Sequence, residues 1–153
     1  MLEQSDPAPG FSLPSSDGTT FALSAMQGRK LVLYFYPRDN TAGCSKQAIG
    51  FSEARAAFAD AGAEIYGISK DDMASHERFI AKKDLAIPLL SDANSDVCER
   101  YGVWKEKKMY GKTFMGIERS TFLIDEAGTI ARIWRRVKVA GHVEEVLEAV
   151  RAL

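Results

Sequence analysis

The chain has 153 residues, 46% of them hydrophobic and 27% charged, a length and composition that suit one soluble domain, spanning 1–153, with a proper hydrophobic core. Lysine and arginine (20) nearly balance aspartate and glutamate (21), so no long-range field selects nucleic acid or an anionic membrane as a partner. Hydrophobic runs are all cut short of the roughly 18 apolar residues of a membrane span, and Met1 to Gly10 lacks the basic start and apolar run of a secretory signal. A soluble, cytoplasmic protein is expected. The first clear element is Leu31-Val-Leu-Tyr-Phe-Tyr36, a continuous apolar and aromatic run suited to a strand covered on both faces. From Cys44 the spacing becomes helical, with Cys44, Ala48, Phe51, Ala54 and Phe58 on one face until Gly62 ends it.

Glu64 to Ser69 reads as the next strand, and after Asp71 and Asp72 a second helix runs to about Lys83 with Phe79 and Ile80 inward. Leu89 and Leu90 form a brief third strand. A short helix then runs from Ser95 to Tyr101, capped by Asn94 or Ser95, and Gly102 opens an irregular stretch. Arg119 to Ile124 and Thr129 to Arg135 are β-rich and flank Asp125-Glu-Ala-Gly128, the connection of an antiparallel hairpin. Val143, Val146, Leu147 and Val150 place an apolar stripe on a terminal helix. The order predicts an α/β fold of thioredoxin-like type, a mixed central sheet flanked by helices. A flavodoxin-like fold would need a further parallel strand where this chain offers a hairpin.

Chemistry gathers beyond the carboxyl ends of strands in such sheets, and the loop Pro37-Arg-Asp-Asn-Thr-Ala-Gly43 delivers Cys44 there, at a helix start. The open amides and positive dipole end of that helix favour a thiolate, the nucleophilic form of cysteine. Thr41 can offer a hydroxyl to the sulfur or to a bound oxygen, and Pro37 fixes the chain's exit from the strand. Read on location alone, Cys44 is equally a small apolar residue of a first helical turn. Neither Cys44 nor Cys98 is spaced as a metal pair or a C-x-x-C pair. His76 and His142 read as surface histidines, and Tyr34, Tyr36, Phe51, Trp104 and Trp134 as core or pocket wall.

The pattern Pro37-x-x-x-Thr41-x-x-Cys44 resembles the peroxidatic motif of peroxiredoxins. Tyr34-Phe-Tyr-Pro-Arg-Asp-Asn-Thr-Ala-Gly-Cys44, Leu90-Ser-Asp92, Tyr101-Gly-Val-Trp104, Lys107-Lys-Met-Tyr-Gly-Lys112 and Met115-Gly-Ile-Glu-Arg-Ser-Thr-Phe-Leu-Ile-Asp125 are similar to the bacterioferritin comigratory protein (PrxQ) branch. The resemblance implies a thiol-dependent peroxidase that reduces hydrogen peroxide and organic hydroperoxides without metal or organic cofactor. It implies a catalytic set of Pro37, Thr41, Cys44 and Arg119, with Thr41 and Arg119 binding the substrate. A guanidinium stays charged and offers paired planar donors for thiolate and peroxide oxygens. Gln47 stands where the branch carries Glu or Gln, and a supporting role is assigned to it.

Two departures from the branch stand out. Ala42 replaces the proline usual before Gly-Cys, and Ile49 stands where many relatives carry a resolving cysteine. Residues from Phe79 to Lys83, the alternative resolving position, also lack one. Cys98 shares an apolar helix face with Val97 and Tyr101 and reads as a core thiol. The expectation is a one-cysteine cycle in which thioredoxin, glutaredoxin or a small thiol reduces a Cys44 sulfenic acid, in a monomer, with a homodimer as the alternative. The competing reading is a non-enzymatic thioredoxin-fold module, redox-sensing or chaperone-like.

Overall fold

The computed structural model describes residues 1–153. Its frame is a five-stranded mixed sheet whose strands lie in the spatial order Leu89–Ser91, Ala63–Ser69, Lys30–Phe35, Ser120–Ile124 and Ile130–Trp134. The central strand, β3 (Lys30–Phe35), pairs parallel with β4 (Ala63–Ser69) and antiparallel with β8 (Ser120–Ile124). Strand β5 (Leu89–Ser91) continues the parallel side, and β9 (Ile130–Trp134) closes the other edge as the hairpin partner of β8. Every residue of β3 after Lys30 is buried, as a continuous apolar run demands when both faces of a sheet are covered.

The alternation of β3 sorts the core into two parts. Leu31, Leu33 and Phe35 join one cluster, while Val32 and Tyr34, with Tyr36 beyond the strand, join the other. Over the second cluster lie α1 (Ala42–Asp60), α2 (Met73–Lys83) and α4 (His142–Arg151), contributing Phe51, Phe79 and Val146 among others. The first is covered by the hairpin β1 (Ser12–Pro14)–β2 (Thr20–Ala22), a 3₁₀ turn at Leu23–Met26 and the short α3 (Val97–Arg100). Helices therefore flank both faces unequally.

Three expectations need correction. The stretch after Gly102 is not irregular: β6 (Trp104–Met109) and β7 (Lys112–Ile117) form a separate hairpin that turns at Tyr110 and Gly111, both at positive φ. It is held by its own backbone ladder and a two-residue turn, and its residues are too exposed to leave an alternating apolar signature. Neither Asn94 nor Ser95 caps α3. The buried Asp92 does, accepting from the N–H groups of Val97 (3.2 Å) and Cys98 (2.8 Å), because an anion answers the positive end of a helix better than a neutral cap. His76 and His142 are not on the surface: both are buried. Each sits on its helix's apolar face, His76 three residues before Phe79 and His142 four before Val146, and each finds a hydrogen-bond partner there.

Candidate active site

Strand β3 ends where the loop Pro37–Thr41 begins, and β8 starts alongside because the two strands run antiparallel, with Phe35 opposite Ser120. That topology brings Arg119, the residue before β8, to Cys44 in the first turn of α1, although 75 positions separate them. Arg119 Nη2 donates to Cys44 Sγ at 3.4 Å, and its Nη1 donates to Gln47 Oε1 at 2.7 Å. Gln47, one turn beyond Cys44, is fully buried, so the guanidinium is anchored from the same helix that carries the sulfur.

Cys44 itself is 1% exposed. No side chain caps α1, which leaves the first-turn amides and the positive helix end directed at this region. Thr41 occupies the cap position in extended conformation, but its hydroxyl donates to the Arg38 carbonyl at 2.9 Å rather than to the sulfur. Its oxygen remains an acceptor. Pro37 is half-buried at the end of β3. Lys107, reaching in from β6, feels the site: burial and then Arg119 hold its pKa below the usual lysine range, against the pull of Cys44 and Glu118. The hairpin bearing it exposes Met109, Tyr110, Phe114 and Met115, an apolar margin.

Of the residues singled out in the sequence, Cys44 and Arg119 meet directly, Gln47 joins them, and Thr41 and Pro37 frame the loop. A further set was not foreseen. Asp39, inside the loop, is buried and accepts from Tyr36 Oη at 2.6 Å and Ser75 Oγ at 2.8 Å, with His76 Nδ1 also at 2.8 Å. The signal available was the position of His76 on the inward face of α2. Cys98, by contrast, is buried among Val97, Tyr101, Phe35 and Phe122 on the far face of the sheet. Burial, and then Asp92, push its thiol far above the ordinary range, which leaves it a core residue.

The geometry unites a cysteine, a fixed cation and an uncapped helix start in one water-poor corner, the requirements for an activated sulfur nucleophile. Comparison with known proteins points the same way. The AhpC/TSA family model matches residues 5–133. The peroxiredoxin Bcp of Xanthomonas campestris is 47% identical over 148 residues, covering 95% of this chain and 92% of that protein. A crystal structure of PrxQ from Xylella fastidiosa superposes with a TM-score of 0.94 at 40% identity, over 99% of this chain and 97% of that one. The bacterioferritin comigratory protein of X. campestris, studied for alkyl peroxide reduction, gives a TM-score of 0.88 at 46% identity, over 93% and 90%. With matches of this extent over almost the whole chain, the protein belongs to the AhpC/TSA family, in its Bcp/PrxQ peroxiredoxin branch, and is a thiol peroxidase.

Proposed function

We propose that Cys44 is the peroxidatic residue and that the chain works by a one-cysteine cycle. The observation that carries the reading is the Arg119 guanidinium on Cys44 Sγ, itself seated on Gln47. In the first step the Cys44 thiolate attacks one peroxide oxygen: an S–O bond forms, the O–O bond breaks, and the departing oxygen takes a proton to leave as alcohol or water. Cys44 becomes a sulfenic acid. Charge moves from sulfur to the leaving oxygen in this step, so a preorganised cation in a dry corner acts mainly on the transition state. The Thr41 oxygen, whose proton is held by the Arg38 carbonyl, accepts the hydrogen of the incoming hydroperoxide and orients it. Pro37 sets the loop's departure from β3.

An external thiol then attacks the sulfenic sulfur, releasing water and leaving a mixed disulfide, and a second thiol restores Cys44. Position 49 is Ile and residues Phe79 to Lys83 include no cysteine where a resolving thiol would be sought, and Cys98 is across the sheet. Thioredoxin, glutaredoxin or a small thiol of a reducing cytoplasm fits this requirement, and the chain acts as a monomer. The exposed Met109, Tyr110, Phe114 and Met115 of the hairpin that carries Lys107, with the alkyl peroxide activity studied in the Xanthomonas relative, support organic hydroperoxides alongside hydrogen peroxide as substrates.

The test is single-turnover peroxide consumption by the wild type, Cys44→Ser and Cys98→Ser. Cys44→Ser is expected to lose the reaction and Cys98→Ser to keep it within a few-fold. Consumption of peroxide by Cys44→Ser would end the assignment.

A further inference from the structure

The loop that launches α1 is tied down chiefly through one residue. The Asp39 N–H donates to Asp71 Oδ2 at 2.9 Å, and its carboxylate gathers the Tyr36 hydroxyl, the Ser75 hydroxyl and His76 Nδ1. Asp71 is in turn fixed by the Ser69 hydroxyl at 2.6 Å. His76, with no exposed surface, places its other ring nitrogen, Nε2, 2.8 Å from the Leu90 carbonyl of β5. A carbonyl oxygen can only accept a proton, and so can an ionised carboxylate. With Asp39 ionised, both contacts are satisfied by a ring that carries hydrogen on both nitrogens, an imidazolium beside its counterion.

We propose that His76 is a positioning residue for Cys44: its imidazolium ties Asp39 to the Leu90 carbonyl, fixing the loop from which the Cys44 helix starts, so that peroxide reduction depends on the charge of a group that never touches the substrate. The inference rests on Cys44 as the reacting residue. A neutral ring can supply only one of the two bonds. It would turn a lone pair either toward Asp39, loosening the loop, or toward Leu90.

The groups facing His76 come from every neighbouring element. They are Asp39 from the loop, the Tyr36 hydroxyl at 3.5 Å from beyond β3, Asp71 from the turn after β4, Ser75 from α2 and the Leu90 carbonyl from β5. None of these is a cation. Burial disfavours the imidazolium, but the hydrogen bond and charge of Asp39, then Leu90 and Asp71, outweigh it and raise the His76 pKa above 6.5. Asp39 moves the opposite way: burial is overcome by its bonds from His76 and Tyr36, and its pKa falls below 3.8. A histidine raised on folding contributes fully below its unfolded value and loses that contribution as pH climbs through the folded one. The tie is thus fully present below about 6.5 and is lost as pH rises through the raised His76 value.

The experiment uses the full chain. Ring-nitrogen NMR shifts of the ¹⁵N-labelled protein are followed from pH 5 to 9, with single-turnover peroxide rates for the wild type, His76→Gln, Asp39→Asn and Cys44→Ser. At pH 6 both His76 nitrogens should be protonated, with a midpoint above 6.5. His142, whose pKa burial lowers to about 4, should be neutral and serves as the internal contrast. His76→Gln and Asp39→Asn should each react about tenfold more slowly than wild type at pH 6, the scale of a modest misplacement of a reacting group. The gap should narrow as pH passes the His76 midpoint, because the wild type then loses the same proton. A neutral His76 ring at pH 6, variant rates within twofold of wild type at pH 6, or a deficit that is constant with pH would each overturn the proposal. Should His76→Gln fail to fold, the wild-type ring shifts and Asp39→Asn still decide it. Peroxide consumption by Cys44→Ser would instead remove the assignment of Cys44, while the ring shifts would still report the tie.

Discussion

The guanidinium of Arg119 lies in a seat with little slack. Gln47 Oε1 holds one end at 2.7 Å, Cys44 Sγ receives the other at 3.4 Å, and Gly43 lies against the same nitrogen. A Cβ at position 43 would come within 3.1 Å of Arg119 Nη2, closer than ordinary packing, so the side chain would have to yield by a few tenths of an ångström. Gly43→Ala is therefore expected to slow peroxide reduction several-fold through geometry alone, leaving every functional group in place. Arg119→Ala should cost about a hundredfold, the loss typical of a transition-state donor. Arg119→Lys should restore little, since a point charge cannot serve sulfur and Gln47 together. Stopped-flow rates with hydrogen peroxide measure all three. A Gly43→Ala enzyme as fast as wild type would show that the seat tolerates movement, and an Arg119→Ala enzyme within a few-fold would make the residue structural.

Among the elements, the start of α1 carries the clearest consequence. Ala42 is its first residue, exposed, and follows Thr41 at φ −86° and ψ 158°. Proline is favoured at the first helical position, where its missing N–H costs nothing, and it requires an extended residue before it. Thr41 already has that conformation. Ala42→Pro should therefore stabilise the fold by about 0.4–1 kcal/mol through the unfolded chain, with peroxide rates close to wild type; a lower melting temperature would mean that the loop needs the alanine's freedom. This helix and α4 were legible in the sequence through apolar residues at helical spacing, and β3 through a continuous apolar run, both of which the core uses directly. Hairpin β6–β7 was not, since its strands hold together by backbone pairing and bury little. Pairings between distant residues were legible only where a motif marked them. Arg119 meets Cys44 as the family resemblance implied, whereas the tie of His76 to Asp39 spans 37 positions and leaves in the sequence only a histidine on an apolar face. Asp92 likewise caps α3 from outside the window in which a local cap is sought.

At the scale of the whole molecule, the sheet is a partition between the two thiols. Cys44 packs with Val32, Tyr34, Ala48 and Phe51 under the long helices, and Cys98 with Leu33, Phe35, Tyr101 and Phe122 under α3 and the N-terminal hairpin. Successive residues of β3 point to opposite clusters, so the two thiols belong to opposite faces of the sheet. A disulfide needs Cα atoms within about 7 Å. Unwinding the first turn of α1 would move Cys44 outward on its own face, and releasing α3 would move Cys98 outward on the other. Lys70 pins α3 through Asp92 at 3.3 Å and Glu99 at 2.7 Å, which opposes that release. One equivalent of peroxide should therefore add one oxygen to the protein, captured by dimedone as a Cys44 sulfenic acid, and excess peroxide without thiol should drive it to the sulfinic acid. Intact mass resolves the alternatives, because an internal disulfide instead removes two hydrogens. A loss of two hydrogens that disappears in Cys98→Ser would overturn the one-cysteine cycle. It would also require α3 to unwind locally to bring the Cys98 thiol to Cys44, since the two groups sit in separate packed elements of the reduced fold.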